Sequence, residues 1–173
     1  VRYLDRSDGV GAAVLAAYPD VVVDGAPPEQ QSRVDAWGCG SGFAGGEDDV
    51  PAVLAVLAAP VPVVLDAGAL RVLAMSEAVH ARVVERWREG LPTVLTPHEG
   101  EFEALRPHAL ASSDRLSAAR SAAADLRAIV LLKGPGTVVA APDGSARIDA
   151  EGTAALATAG SSDVLRSEEH TSE

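Results

Sequence analysis

The chain has 173 residues, of which 47% are hydrophobic and 23% charged; this fits one domain with a real core and excludes a disordered tail or a fibrous repeat. Lys and Arg number 14 against 25 Asp and Glu, and this formal charge of −11, with only 3% aromatic residues, argues against nucleic acid as a partner. The longest uncharged stretch, residues 50–65, is shorter than a membrane span and contains three prolines.

The order of apolar runs predicts an α/β domain with a mostly parallel sheet, because short β-branched runs alternate with Ala-rich stretches. Ser113 is the predicted N-cap of the last helix. The central strands are apolar throughout, as expected where helices cover both faces of a sheet. In chain order, helices are predicted over 9–17, 48–58, 76–89, 99–105 and 113–127, strands over 20–24, 34–37, 61–66, 93–96 and 128–133, and a hairpin over 137–141 and 146–149.

The two ends of the chain differ from the rest. The opening residues, VRYLDRSDGV, carry charges where an export signal is apolar, and the lone Cys39 excludes an internal disulfide, so a cytoplasmic location is expected. Residues 166–173, RSEEHTSE, have no apolar periodicity and are interpreted as a non-native tail after a domain over 1–165.

Polar and glycine-rich segments follow the predicted strands. Because the carboxyl ends of parallel strands meet at one edge of a sheet, we expect these segments to share a rim where a ligand binds. A fifth segment of small residues comes before a predicted helix start, where backbone N–H groups favour a phosphate. The five are 38–42 (GCGSG), 66–68 (DAG), 96–101 (TPHEGE), 133–137 (KGPGT) and 158–163 (TAGSSD).

Each candidate residue has two interpretations. The glycine-rich loops are either phosphate cradles or simple tight turns. His98 is either a ligand-binding residue or a cap for the next helix. Lys133 is expected to reach out of its strand end, where it can meet a phosphate. Asp163 is either a base for a hydroxyl or an ordinary acid at a helix N-terminus.

Five segments in order resemble a known family, the ADP-dependent NAD(P)H-hydrate dehydratases of the ribokinase-like superfamily. Residues 38–42 (GCGSG) are similar to the family's GPGLG loop, and 64–70 (VLDAGAL) to VLDADAL. Residues 96–102 (TPHEGEF) are similar to TPHxGEF, 132–137 (LKGPGT) to LKGxxT, and 156–165 (LATAGSSDVL) to LATAGTGDVL. The resemblance covers nearly all of residues 1–165.

The resemblance implies a ribokinase-like three-layer α/β/α sandwich with a mostly parallel central sheet, incomplete at both termini. It implies a hydro-lyase that dehydrates (6S)-NAD(P)H hydrate (NADHX or NADPHX) with ADP and Mg²⁺, metal ligands unknown, and a homo-oligomer in the intact family member. Asp163 would be the catalytic base and a backbone anion hole would lie at Gly160–Asp163. The hydrate would be bound by Gly40, His98 and Asp163. The nucleotide would be bound by Lys133, Gly134, Pro135, Gly136, Thr137, Gly160 and Ser162.

Two positions depart from the family pattern. Gly68 stands where the family has an acid, and Ser162 stands where it has a glycine, at a point where a phosphate approaches the backbone. Two other functions remain open. One is a ribokinase-like kinase that phosphorylates a vitamin-precursor alcohol with ATP, and the other is an inactive nucleotide-binding fragment.

Overall fold

A computed structural model of the chain describes residues 1–5 and 9–149. The predicted α/β class with a mostly parallel central sheet is confirmed. By backbone contacts the chain divides into two compact units, Val1–Thr93 and Val94–Glu173, called here the first and second units. Among the described residues, none of the helices has both the length and the apolar character needed to cross a bilayer.

The first unit holds two pairs of parallel strands. Strand β1 (Arg2–Leu4) pairs with β2 (Val22–Asp24), and helix α1 (Val10–Ala17) lies between them in sequence. Strand β3 (Trp37–Cys39) pairs with β4 (Val63–Leu65), with Trp37 opposite Val63 and Cys39 opposite Leu65. Because β3 and β4 run in parallel, their carboxyl ends lie side by side.

Helices complete the first unit. Helix α2 (Val50–Leu57) carries Pro51 in its first turn, where the missing N–H costs nothing. Helix α3 (Gly68–Met75) is followed by α4 (Glu77–Arg88), whose N-cap Ser76 accepts a hydrogen bond from the Val79 N–H. Short 3₁₀ turns lie at Pro28–Gln30 and Glu47–Asp49. The fully buried apolar core of this unit includes Val53, Leu57, Val63, Leu65, Leu70, Val72, Val79 and Val83.

The end of α4 contains a completely buried arginine, Arg86. Its guanidinium donates to the carbonyl oxygens of Leu57, Ala59 and Val61 at 2.8, 2.7 and 2.6 Å, and its Nε donates to Thr93 Oγ1 at 3.1 Å. Burial lowers the pKa of this guanidinium. Since Leu57 ends α2, the positive charge lies where the helix dipole is negative.

The second unit has the strand order β5-β6-β7-β8. Strand β5 (Thr93–Leu95), which begins at the last residue of the first unit, is parallel to β6 (Ile129–Leu132). Strands β7 (Thr137–Ala140) and β8 (Ala146–Asp149) continue antiparallel, as the predicted hairpin requires. The helices are α5 (Glu99–Leu105), α6 (Ala109–Ser112) and α7 (Arg115–Leu126).

Helix α7 packs against β6 and β7 through small residues. Because alanine side chains are short, the helix can approach the sheet closely. Asp114 is the N-cap of α7, and its carboxylate accepts hydrogen bonds from the Ser117 N–H and hydroxyl, which lower its pKa. The buried residues of this face are Ala118, Ala119, Ala122, Ala123 and Leu126.

Three sequence-based expectations differ from the structure. The strand predicted over 34–37 lies at Trp37–Cys39, because pairing with β4 selects the later residues. Ser113 is not the N-cap of α7: its Oγ donates to the Ala109 carbonyl of the preceding helix, and Asp114 caps instead. Strand β1 and helices α3 and α6 were not expected.

Candidate functional site

In the first unit, Gly40 ties the end of β3 to the end of β4. Its carbonyl oxygen accepts the Gly68 N–H at 3.2 Å and the Phe43 N–H at 3.1 Å. Gly40 is buried with φ +120°, and a Cβ built on it would lie 1.9 Å from the Asp66 carbonyl oxygen. Only glycine fits there, so the predicted glycine-rich loop has a steric reason at this position.

The same loop covers Gly68, the position where the family pattern has an acid. A Cβ on Gly68 would lie 2.4 Å from the Phe43 carbonyl oxygen and 2.6 Å from the Phe43 Cβ. The preceding Ala67 has φ +49°, a conformation that alanine rarely adopts. The backbone of Phe43 therefore occupies the space that a larger side chain at position 68 would need.

In the second unit, His98 is the N-cap of α5. Its Nδ1 accepts the Gly100 and Glu101 N–H groups at 3.0 and 3.3 Å, and Glu101 Oε2 accepts the His98 N–H at 3.0 Å. This reciprocal pair is a capping box. Because Nδ1 is an acceptor, a neutral imidazole carries its proton on Nε2, which lies 3.5 Å from Glu101 Oε1. The imidazole is 60% exposed, so capping fixes the ring and leaves it accessible.

Glu101 also faces Lys133 at the end of β6. The Lys133 Nζ lies 3.9 Å from Glu101 Oε2, and the side chains are 24% and 16% exposed. The Lys133 N–H donates to the Pro97 carbonyl at 2.8 Å, next to His98 in sequence. The structure thus brings two predicted site segments of the second unit, 96–101 and 133–137, into direct contact.

The turn after Lys133 contains two glycines with positive φ. Gly134 has φ +144° and Gly136 has φ +67°, and the Thr137 hydroxyl donates to the Gly134 carbonyl at 3.2 Å. Gly134 and Pro135 are exposed. The turn is accessible and Lys133 precedes it, and the binding of a nucleotide phosphate by this segment stays a prediction.

The remaining predicted residues, Gly160, Ser162 and Asp163, lie outside the described residues. Within 1–5 and 9–149, no group of three or more His, Cys, Asp or Glu side chains forms a metal site. The described part of the chain therefore does not fit a protein-built Mg²⁺ cage.

A protein-family model described as NAD(P)H-hydrate dehydratase matches residues 3–166, nearly the whole chain. The chain belongs to the NAD(P)H-hydrate dehydratase family. This confirms the resemblance that the five sequence segments predicted.

Relatives in this family are longer than the chain. The bifunctional NAD(P)H-hydrate repair enzyme Nnr of Mycobacterium tuberculosis (strain CDC 1551 / Oshkosh) is 41% identical over 95% of this chain and 33% of its own length. The ADP-dependent (S)-NAD(P)H-hydrate dehydratase of Neisseria meningitidis serogroup B is 37% identical over 92% of this chain and 54% of its own length. The chain thus spans about a third to a half of the length of these dehydratase-family relatives.

Solved structures agree with the family. The ADP/ATP-dependent NAD(P)H-hydrate dehydratase from Bacillus subtilis, co-crystallised with ATP/Mg²⁺ and soaked with CoA, matches with a TM-score of 0.72 at 30% identity, over 91% of this chain and 57% of that one. A ribokinase-like superfamily protein from Enterococcus faecalis matches with a TM-score of 0.65 at 19% identity, over 89% of this chain. The second match, at 19% identity, shows the fold alone. The predicted ribokinase-like fold is confirmed.

Two residues of the candidate site have no role assigned from the sequence. Glu101 stands three residues after His98, which is the spacing of a capping box. The sequence pattern of that motif has Ser or Thr at the N-cap, so a histidine there does not match it. Arg115 contacts Glu99 and the carbonyls of Leu132 and Lys133. A local sequence pattern cannot predict these contacts, because Arg115 is distant in sequence from all of its partners.

Proposed function

We propose that the chain catalyses the ADP-dependent dehydration of (6S)-NAD(P)H hydrate to NAD(P)H, a hydro-lyase reaction that repairs nicotinamide nucleotides. The observation that supports this most is the contact of Glu101 with both His98 and Lys133. In the family pattern the first of these partners belongs to the hydrate and the second to the nucleotide. One carboxylate therefore links the two halves of the proposed reaction.

The proposed chemistry has two steps. Asp163 accepts the proton of the ring hydroxyl, whose oxygen attacks the terminal phosphorus of ADP; an O–P bond forms and AMP leaves. The ring nitrogen then donates its electron pair to expel phosphate, and loss of a proton from the neighbouring carbon restores the double bond. Backbone N–H groups at Gly160–Asp163 would stabilise the transferring phosphoryl group.

Residues of the described part would bind and orient the two substrates. His98, whose imidazole is 60% exposed, and the loop at Gly40 would hold the hydrate. Lys133 would pair with the phosphates, and the turn at Gly134–Thr137 would border the nucleotide. Mg²⁺ would arrive with the nucleotide, because this ion keeps most of its water ligands and takes phosphate oxygens.

The test uses the full chain with hydrated NADH, ADP and Mg²⁺, and follows the near-ultraviolet absorbance of the dihydronicotinamide ring. We expect absorbance to return only with ADP, and to stay absent in Asp163→Asn while the exposed control Asp20→Asn behaves as wild type. Ser162→Gly reports whether serine impairs the phosphate site: a faster return in that variant locates the impairment there.

Two results would overturn the proposal. ATP-dependent phosphorylation of an alcohol without hydrate consumption would establish the kinase alternative. A rise in melting temperature with ADP, but no turnover in either the wild type or Ser162→Gly, would establish an inactive nucleotide-binding fragment.

The proposed function also implies binding partners, a cellular location and an oligomeric state. Its partners would be the small molecules NADHX or NADPHX and ADP, and its location the cytoplasm, where these nucleotides are used. We propose a homo-oligomer for the intact family member, without nucleic acid or membrane as a partner. Size-exclusion chromatography with light scattering measures the oligomer directly.

A further inference from the structure

Arg115, in the first turn of α7, donates hydrogen bonds to backbone carbonyls at the end of β6. Its Nη2 donates to the carbonyl oxygens of Lys133 and Leu132 at 3.1 and 3.3 Å. Its Nη1 forms an ion pair with Glu99 Oε1, and the arginine side chain is 27% exposed. One guanidinium therefore joins Glu99 to the adjacent carbonyl groups of Leu132 and Lys133, which lie far from it in sequence.

These contacts fix the peptide bond between Lys133 and Gly134. A trans peptide places its N–H opposite its C=O. With the Lys133 carbonyl held by Arg115, the Gly134 N–H is directed away from α7. The Lys133 N–H is held by the Pro97 carbonyl at 2.8 Å, so both sides of Lys133 are anchored.

The backbone conformation at position 134 favours glycine, and the Arg115 guanidinium lies close beside it. A Cβ on Gly134 would lie 2.9 Å from Arg115 Nη2, and the backbone there has φ +144°. Holding the guanidinium has a cost, because its Nε is buried without a hydrogen-bond partner. An isolated surface ion pair with Glu99 would offset little of that cost, so the bonds to the carbonyls carry the stabilisation.

We propose that Arg115 is a positioning residue for nucleotide binding: it orients the Lys133–Gly134 peptide and the turn that follows so that their N–H groups face the diphosphate. The identity of the ligand rests on the proposed function. Arginine suits this task because its planar fork reaches two acceptors and a carboxylate at once, whereas a lysine ammonium is a point charge on a flexible stem.

The test compares Arg115→Gln and Arg115→Lys with Arg120→Gln, an exposed arginine of the same helix, in the full chain. Isothermal titration with ADP should show about tenfold weaker binding in Arg115→Gln, the loss expected when one or two phosphate hydrogen bonds are misaligned. Arg115→Lys should rescue little of it. The KM for ADP should rise in both variants while the KM for the hydrate stays unchanged.

A second measurement needs no ligand. Backbone ¹⁵N order parameters of Gly134 and Gly136 should fall in both Arg115 variants and stay at wild-type values in Arg120→Gln. If the wild type binds no ADP, the proposed function fails, and the order parameters then decide only whether Arg115 orders the turn at Gly134–Gly136. Unchanged order parameters, or equal ADP affinity in Arg115→Gln and Arg120→Gln, would overturn the proposal.

Discussion

Replacing Arg86 with methionine tests the main buried polar contact of the first unit. Methionine keeps most of the aliphatic length but removes the guanidinium that serves the carbonyls of Leu57, Ala59 and Val61 and the Thr93 hydroxyl. Each acceptor left without its donor costs about 1 kcal/mol or more. Four acceptors lose their donor in this variant, and the removal of a buried charge offsets part of that cost. We therefore expect a net loss of about 3 to 5 kcal/mol in the free energy of unfolding.

Urea denaturation followed by far-ultraviolet circular dichroism measures this loss. The midpoint should fall in Arg86→Met with the slope unchanged, because the same surface is exposed on unfolding. Arg86→Lys should recover only part of it, since an ammonium cannot reach all four acceptors. Arg88→Met, an exposed arginine in the same helical turn, should change the free energy of unfolding by no more than about 0.5 kcal/mol. Equal midpoints for Arg86→Met and Arg88→Met would refute the reasoning.

Two further predictions concern the first unit and helix α7. Gly68→Asp, which restores the acid of the family pattern, should destabilise the chain by about 1 to 3 kcal/mol because its Cβ would meet the Phe43 backbone. The control is Gly38→Ala, where a Cβ has open space. Equal urea midpoints for the two variants would contradict the steric argument. Since hydrogen bonds from Ser117 lower the pKa of Asp114, its charge contributes stability that is lost as the pH falls below about 4. The urea-midpoint difference between wild type and Asp114→Asn should therefore shrink on acidification, and a constant difference would show that the charge has no role.

The order and type of most elements could be predicted from the sequence because each has a local signal. The apolar run that became β6 and the Pro142-Asp143-Gly144 turn between β7 and β8 were located within a residue or two. Helix α3 had no such signal, since it begins at Gly68 and its N-cap is Ala67 in a rare conformation. Its first residue, Gly68, packs against Phe43 of the 40–46 loop, a contact that no local pattern encodes.

The candidate site divides in the same way. The residue types and their order were sufficient to indicate the family, because five short segments with fixed chemistry occur in the right sequence. The capping role of His98 was foreseen as one of two interpretations, and the structure adds that the ring remains exposed while it caps. Its role toward the hydrate stays a prediction.

By itself, the sequence determined the α/β class, the family, and which residues carry groups able to bind phosphate or accept a proton. Only the tertiary structure decided that Arg86 is completely buried and that Arg115 holds the Lys133 carbonyl. In sequence both arginines lie in ordinary polar helical stretches. Their carbonyl partners belong to other elements, so only the packed structure shows the contacts. A buried backbone carbonyl without a hydrogen-bond donor costs free energy, and each arginine supplies such a donor.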